Sequence, residues 1–228
     1  MSKKSIIISA VVFTVIIAAG GVWWTLHMRA TSSSSSNFIS YKDRGLTAEE
    51  KAVYQSKVVE LKEQLKNATN DNEKFKLTMQ IGIQHYALGE FTLAQERYLT
   101  AAKILPDNPT VWSELYIIEN ARGDYASAKK HIEKAIELNP ASAQYWRWRI
   151  ELEKDQFSPD SESMNSLFSQ ALANTNNSVE ILAIQARYFE SIGSNNAAID
   201  TWKRLKEVNP SATAIYDQEI ADLMQKVQ

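Results

Sequence analysis

Cysteine is absent from this 228-residue chain, and glycine and proline are scarce, at seven and five residues. The missing thiols exclude a disulfide framework, thiolate-bound zinc or iron–sulfur clusters, a c-type haem attachment site and a cysteine nucleophile. They exclude a lipidated N-terminal cysteine as well, so any membrane attachment has to come from the chain itself. Glycine at about 3% and proline at about 2%, against averages of roughly 7% and 5%, leave too few turn formers for an all-β sandwich or barrel. An all-α fold is the expectation. Charge of one sign is not in excess either. The 25 basic residues face 27 acidic ones, which gives no reason to expect nucleic acid as a partner. Glycine-rich phosphate loops, metal-spaced His/Asp clusters and a Gly-x-Ser-x-Gly turn are also missing, so no cofactor, metal or catalytic group is assigned.

What is present begins with a long apolar run. Ile6 to Met28 (IIISAVVFTVIIAAGGVWWTLHM) has no ionised side chain apart from any charge on His27. About 23 residues in a helix span roughly 35 Å, enough for a hydrocarbon core of about 30 Å. Lys3 and Lys4 precede the run, and Trp23 and Trp24 stand near its far end, where indole rings favour the headgroup level. A cleaved signal peptide is the alternative, with Ala18-Ala19-Gly20 as the cleavage site and a secreted soluble protein as the product. The apolar run continues past that site through Val22, Trp23, Trp24 and Leu26, which favours an uncleaved, single-pass transmembrane anchor over 6–28. The basic tail, 1–5, favours a cytoplasmic N-terminus, with the remainder on the outer (periplasmic or extracytoplasmic) side. Arg29, Lys42 and Arg44 on the other flank argue the opposite way.

Residues 29–46 read as a serine-rich flexible linker, centred on Thr31–Ser36. The 16 residues from Thr31 to Leu46 give an r.m.s. span of roughly 20–25 Å. Lys3, Lys4 and Arg29 are the only charged residues of 1–29, so the remainder of the chain carries −5 of a total of −2.

Beyond the linker one spacing recurs. Gly89 and Gly123, Pro106 and Pro140, Ala94 and Ala128, and Ala101 and Ala135 are each 34 residues apart. From Phe75 the first unit shows Leu77/Thr78, Ile81, Gly82 and His85, then Gly89-Glu90-Phe91, Ala94, Tyr98, Ala101 and Pro106. From Pro109 the second shows Trp112, Leu115, Tyr116, Gly123-Asp124-Tyr125, Ala128, Ile132, Ala135 and Pro140. The third, from Ala143, keeps Trp146 but has Arg149 where an apolar residue is expected, and lengthens the turn over Asp155–Asp160 by two residues. The fourth, from Val179, carries Leu182, Ala186, Phe189, Gly193-Ser194-Asn195, Ala198, Trp202, Leu205 and Pro210.

These offsets resemble the tetratricopeptide repeat family, with its W-x2-L-G-x2-Y, G-D-[YF], A-x3-[FY]-x2-A and P pattern. The resemblance covers roughly 75–210 and implies four helix–turn–helix repeats, 75–108, 109–142, 143–178 and 179–212, stacked as an α-solenoid. Thr47-Ala-Glu-Glu50 is a capping box opening an N-terminal cap helix over 47–74, with Val53, Val58/Val59, Leu61 and Leu65 as its apolar residues. A C-terminal cap over 211–228 is expected to use Ile215, Tyr216, Ile220, Leu223 and Met224.

Catalysis finds little support. His85 falls at a packing offset, His131 on the outer face of a second helix, and His27 at the membrane boundary. Glu151/Glu153 and Glu49/Glu50 stand two or one apart on helices, so they diverge and read as solvated surface. Asn67-Ala-Thr69 and Asn176-Asn-Ser178 fit the glycosylation sequon.

The resemblance further implies a concave groove lined by the first helix of each repeat, which binds a peptide or helix. Its columns here are Met79, Ile83, Tyr86; Ser113, Ile117, Asn120; Arg147, Glu151, Lys154; and Ala183, Arg187, Glu190. Met79 and Ile83 stand where the chaperone-binding subgroup places its carboxylate-clamping Lys and Asn, so that specificity does not carry over. The expected partner is a protein or peptide of amphipathic or mixed character. Trp148, beside Arg147 and Arg149, is either an exposed aromatic anchor or a core residue that replaces the missing Leu. The implied role is a non-enzymatic, membrane-anchored scaffold that assists secretion, cytochrome maturation or envelope assembly in a bacterial envelope. Self-assembly into a homo-oligomeric structural protein is the alternative from another class, and a membrane-bound hydrolase has no feature in its favour.

Overall fold

The computed structural model describes residues 38–227; the 6–28 anchor, His27 and the serine run lie outside the described residues. Ten α-helices follow in antiparallel succession: α1 Ala48–Asn67, α2 Asp71–Ala87, α3 Phe91–Ile104, α4 Pro109–Arg122, α5 Tyr125–Leu138, α6 Ala143–Leu152, α7 Ser161–Asn174, α8 Val179–Ser191, α9 Asn195–Val208 and α10 Thr213–Val227. Among the described residues no helix is long and apolar enough to cross a membrane.

Local chemistry sets the helix starts. Thr47 and Glu50 close a reciprocal capping box, with Glu50 N donating to Thr47 Oγ1 at 3.2 Å and Thr47 N to Glu50 Oε2 at 2.9 Å. Asn70, Asp124 and Asp160 accept from the third backbone amide of α2, α5 and α7. Pro109 opens α4 behind the Asn108 cap, where its missing N–H costs nothing. The Asn70 cap moves one boundary: α1 ends at Asn67, and residues 71–74 open the first repeat rather than closing the cap.

The recurring tryptophan and proline meet in space. Trp112 Nε1 donates to Pro106 O at 2.6 Å, and Trp146 Nε1 to Pro140 O at 2.7 Å. Each indole therefore fastens the start of one repeat to the end of the one before. Ala94, Ala128 and Ala198 are fully buried, as are Ile132 and Phe168. Small residues let paired helices close, and large ones fill the space between neighbouring pairs.

Gly82 shows how tight that fit is. A Cβ there would stand 2.5 Å from Tyr98 Cε1, and the Tyr98 ring is only 1% exposed. Alanine for glycine inside a helix ordinarily stabilises by about 1 kcal/mol. Gly82→Ala is expected to destabilise by about 1–3 kcal/mol, because overpacking outweighs propensity. Urea unfolding of the full chain checks the sign, and a gain in stability would mean that the ring moves aside.

The third repeat departs from its neighbours. After ten α-helical residues α6 widens into a π-helical turn, Glu153–Phe157, which ends at Ser158 with φ 46°. The two extra residues are absorbed by this wider winding and by the Pro159 and Asp160 that follow.

Both cap helices bury narrower faces than the apolar pattern suggests. Val58 and Leu61 of α1 are buried, whereas Val53 and Val59 point to solvent at 67% and 69% exposure. On α10 Tyr216 and Leu223 are buried and Ile220 half-buried, but Ile215 and Met224 are exposed. Each cap packs mainly on one neighbouring helix, so it covers one stripe.

Candidate partner-binding groove

The first helices of the repeats, α2, α4, α6 and α8, carry the columns expected to line the groove. In the first two repeats only part of the set is accessible. Ile83 is 45% exposed, Asn120 is exposed and Ile117 is half-buried. Met79 and Ser113 correct the expectation, since both are buried. Met79 packs with Phe91 and Tyr98 in the core, and Ser113 Oγ turns back to donate to Thr110 O at 2.8 Å. Tyr86 is half-buried and stacked on Phe91 at 5.7 Å between ring centroids.

Repeats three and four bring four of the expected residues together, without Arg147, Trp148 and Glu190. Glu151, Lys154, Ala183 and Arg187 rim a cleft of about 360 Å³ between α6 and α8, with Ile150, Ile184, Tyr188 and Phe168 as its apolar walls. Arg147 bridges the same two helices through Glu180, Nε to Oε1 at 3.0 Å. Arg187 reaches Glu190 at 3.0 Å and Glu219 of α10 at 2.5 Å, and lies 4.9 Å from the Trp202 ring centroid. The Glu219 hydrogen bond, opposed by burial and aided by Glu190, raises its already high pKa. Glu190 is held on its other oxygen by Trp202 Nε1 at 2.7 Å. Offsets within a repeat could not point to Glu219, because it belongs to the terminal helix.

Trp148 belongs to an aromatic stack rather than standing free. Its ring lies 5.3 Å from Tyr116 and 6.1 Å from Tyr145, and its carbonyl accepts from the Tyr116 hydroxyl at 3.4 Å. Burial pushes the Tyr116 hydroxyl up to about 12, with Glu151 adding to the shift, Arg147 opposing it and Asp155 adding a little more. The stack joins repeats two and three where Arg149 replaces the apolar residue. The half-buried Trp148 is therefore a packing residue with one edge available.

His85 sits at its packing offset as expected, whereas His131 and one carboxylate sit differently. His85 is buried, with Nδ1 2.6 Å from Glu90 Oε2. His131 does not stand on an open outer face: Nδ1 is 2.6 Å from Glu119 Oε2 and the ring lies 5.4 Å from Trp112. Glu119 is buried and also accepts from Gln95 Nε2 at 3.1 Å. Glu153 is not solvated surface either; its side chain is 14% exposed and paired with Arg149 and Lys129. Among the described residues no group of three His, Asp or Glu side chains could hold a metal ion.

The segment expected as the last third of a free linker is also engaged. Ile39 N donates to Arg122 O at 3.1 Å, Lys42 N to Gly89 O at 2.9 Å, and Thr92 N to Ser40 O at 3.2 Å. The backbone geometry of the first two repeat turns, not side-chain pattern, provides these partners. Apolar periodicity carried no signal for them.

Paired helices stacked in register define a helix–turn–helix repeat solenoid, and known proteins specify it further. No protein-family model matches the chain. The photosystem I assembly protein Ycf3 of Rippkaea orientalis is 25% identical over 128 residues, 56% of this chain and 73% of that protein. Its namesake from Cyanophora paradoxa is 27% identical over 120 residues, 53% and 69% of the two chains. A tetratricopeptide repeat protein from Parabacteroides merdae superposes with a TM-score of 0.57 at 18% identity, over 76% of this chain and 66% of that one. The crystal structure of MamA protein gives a TM-score of 0.52 at 18% identity, over 68% and 82%. The fold is of the tetratricopeptide type. None of these proteins is named for a catalytic activity.

Proposed function

We propose that this chain is a membrane-anchored tetratricopeptide scaffold that binds a protein or peptide partner in its groove and assists the assembly of an envelope or membrane complex. The observation that carries the reading is the cleft between α6 and α8. Four residues chosen from repeat offsets alone, Glu151, Lys154, Ala183 and Arg187, rim a single depression with an apolar floor. Such a cleft suits one large apolar side chain flanked by polar contacts, the usual form of an interface anchor. Ile83, 45% exposed at the other end of the row, extends the apolar contact for a partner of mixed character. The relatives named as assembly proteins support an assembly role over secretion or cytochrome maturation.

The anchor over 6–28 is part of this proposal, with the N-terminus in the cytoplasm and the repeats on the outer side. A C-terminal alkaline phosphatase fusion is expected to be active, and an inactive fusion would reverse the topology. The groove is tested by Ile83→Asp with Lys154→Glu, both at exposed positions, so the fold is retained. Met79 is left alone, because a buried Asp there would unfold the repeat. Cross-linking in native membranes followed by mass spectrometry is expected to lose at least about 90% of the main partner, a loss of about 1.4 kcal/mol in binding. Undiminished cross-linking with unchanged thermal unfolding would place the binding site elsewhere.

A further inference from the structure

Residues 39–44 lie along the turns of the first two repeats, and the manner of their attachment is informative. Besides the three backbone hydrogen bonds, Arg122 Nε donates to Ile39 O at 3.2 Å. The Arg44 guanidinium sits 4.5 Å from the Tyr86 ring centroid and 5.3 Å from that of Phe91, and Nη2 donates to Tyr86 O at 3.4 Å. All six residues are exposed. The segment is thus held by a few hydrogen bonds and by Arg44 against two rings, with Ile39 and Tyr41 only half covered. Attachments of that kind open at low free energy, far below global unfolding.

Gly89 is what admits it. A Cβ at Gly89 would stand 1.8 Å from Lys42 O, a backbone atom that cannot turn aside. Gly123, the equivalent turn in the next repeat, has nearly the same φ, 81° against 77°, but nothing within 4 Å. The two glycines share a backbone requirement, and only the first also serves the segment.

We propose that residues 39–44 are a releasable strap over the first-repeat end of the groove, covering Tyr86 until a partner displaces it. This rests on the groove reading above, since Tyr86 is one of its columns. Arg44 occupies one face of the Tyr86 ring, so a partner reaches that face only once the guanidinium has left. Because the strap continues directly into the chain that leads toward the proposed anchor, release ties access at this end of the groove to the state of the N-terminal segment.

The test compares the full chain with its Gly89→Ala and Gly123→Ala variants, which impose equal backbone strain. In the parent and in Gly123→Ala the amides of Ile39, Lys42 and Thr92 are expected to share one protection factor, below that of the helix interiors. In Gly89→Ala all three should speed up by at least about tenfold, as expected for loss of a local structure. Nitration of Tyr86 by tetranitromethane, mapped by mass spectrometry with Tyr41 as the exposed reference, should rise several-fold in Gly89→Ala and stay unchanged in Gly123→Ala. Arg44→Ala leaves the turn intact and is expected to raise Tyr86 nitration as well. Equal exchange in the two glycine variants would overturn the strap. Freed amides without faster Tyr86 nitration would overturn its covering role. Either result leaves the groove reading standing, because that reading fails separately, through undiminished cross-linking of the Ile83→Asp/Lys154→Glu chain.

Discussion

Phe168→Ala is expected to cost about 3–5 kcal/mol of stability, the range for removing a buried aromatic side chain. The ring is completely buried, with centroids 5.5 Å from Tyr188 and 6.5 Å from Phe189. It also forms a wall of the cleft between α6 and α8, so its loss enlarges the depression as well as the core cavity. Repeats couple mainly to their neighbours, which makes the location of the damage part of the prediction. Hydrogen exchange should quicken across α6, α7 and α8, while α2 and α3 keep most of their protection. Hydrogen exchange reads the cost helix by helix, where one global unfolding free energy averages over it. Uniform loss of protection over all ten helices would contradict nearest-neighbour coupling. A cost below about 1 kcal/mol would mean that Tyr188 and Phe189 close over the gap.

The contrast between Phe168 and Met79 shows what a repeat offset can carry. Phe168, Tyr98, Ile132 and Trp202 sit at corresponding positions of successive second helices, and all four are buried where the pattern places them. Their surroundings depend on helix geometry and on the adjacent pair, both of which repeat with the sequence. Met79 has a groove offset yet is buried, in a cluster with Phe91 and Tyr98 of its own repeat and Val111, Leu115 and Ile118 of the next; Ser113, at the same offset of that next repeat, is buried too. In the first two repeats this groove column falls in the seam between helices, which spacing alone does not separate from the open face. The strap was illegible for a different reason. Its bonds join Ile39 to Arg122, 83 positions away, and use carbonyls and amides that every residue has. Composition marked 29–46 as linker on the strength of its serines, but the run ends at Ser36 and residues 39–45 hold a single serine, Ser40.

Arg149 marks the remaining gap between pattern and structure, and it supports the last prediction. Arg149 breaks the apolar pattern of the repeat; in the structure it is a buried guanidinium at the centre of an ion network whose outer members, Glu133 and Lys129, face solvent. Its Nε donates to Glu133 Oε1 at 3.1 Å and its Nη1 to Glu153, while Lys129 Nζ lies 3.2 Å from Glu153 Oε2. Burial pulls the Glu153 carboxyl up, but the Arg149 guanidinium and Lys129 outweigh it and hold the group below the usual carboxylate range. A carboxylate depressed in the folded state adds stability above its unfolded pKa, and that contribution fades as pH falls through the folded value. Arg149→Met is therefore expected to cost about 2–4 kcal/mol near neutral pH, less than for an isolated buried pair because Lys129 still faces Glu153. The penalty should shrink on acidification, as Glu153 protonates in the variant and no longer carries a charge held by Lys129 alone. Arg149→Leu with Glu153→Leu removes both charges and restores the apolar residue of the repeat pattern. That double variant should recover most of the loss, since well-packed apolar replacements of buried ion pairs are often neutral or stabilising. Urea unfolding of the three chains at neutral and acid pH decides it. A double variant as unstable as Arg149→Met would mean that the ion network, and not the packing around it, holds the third repeat in place.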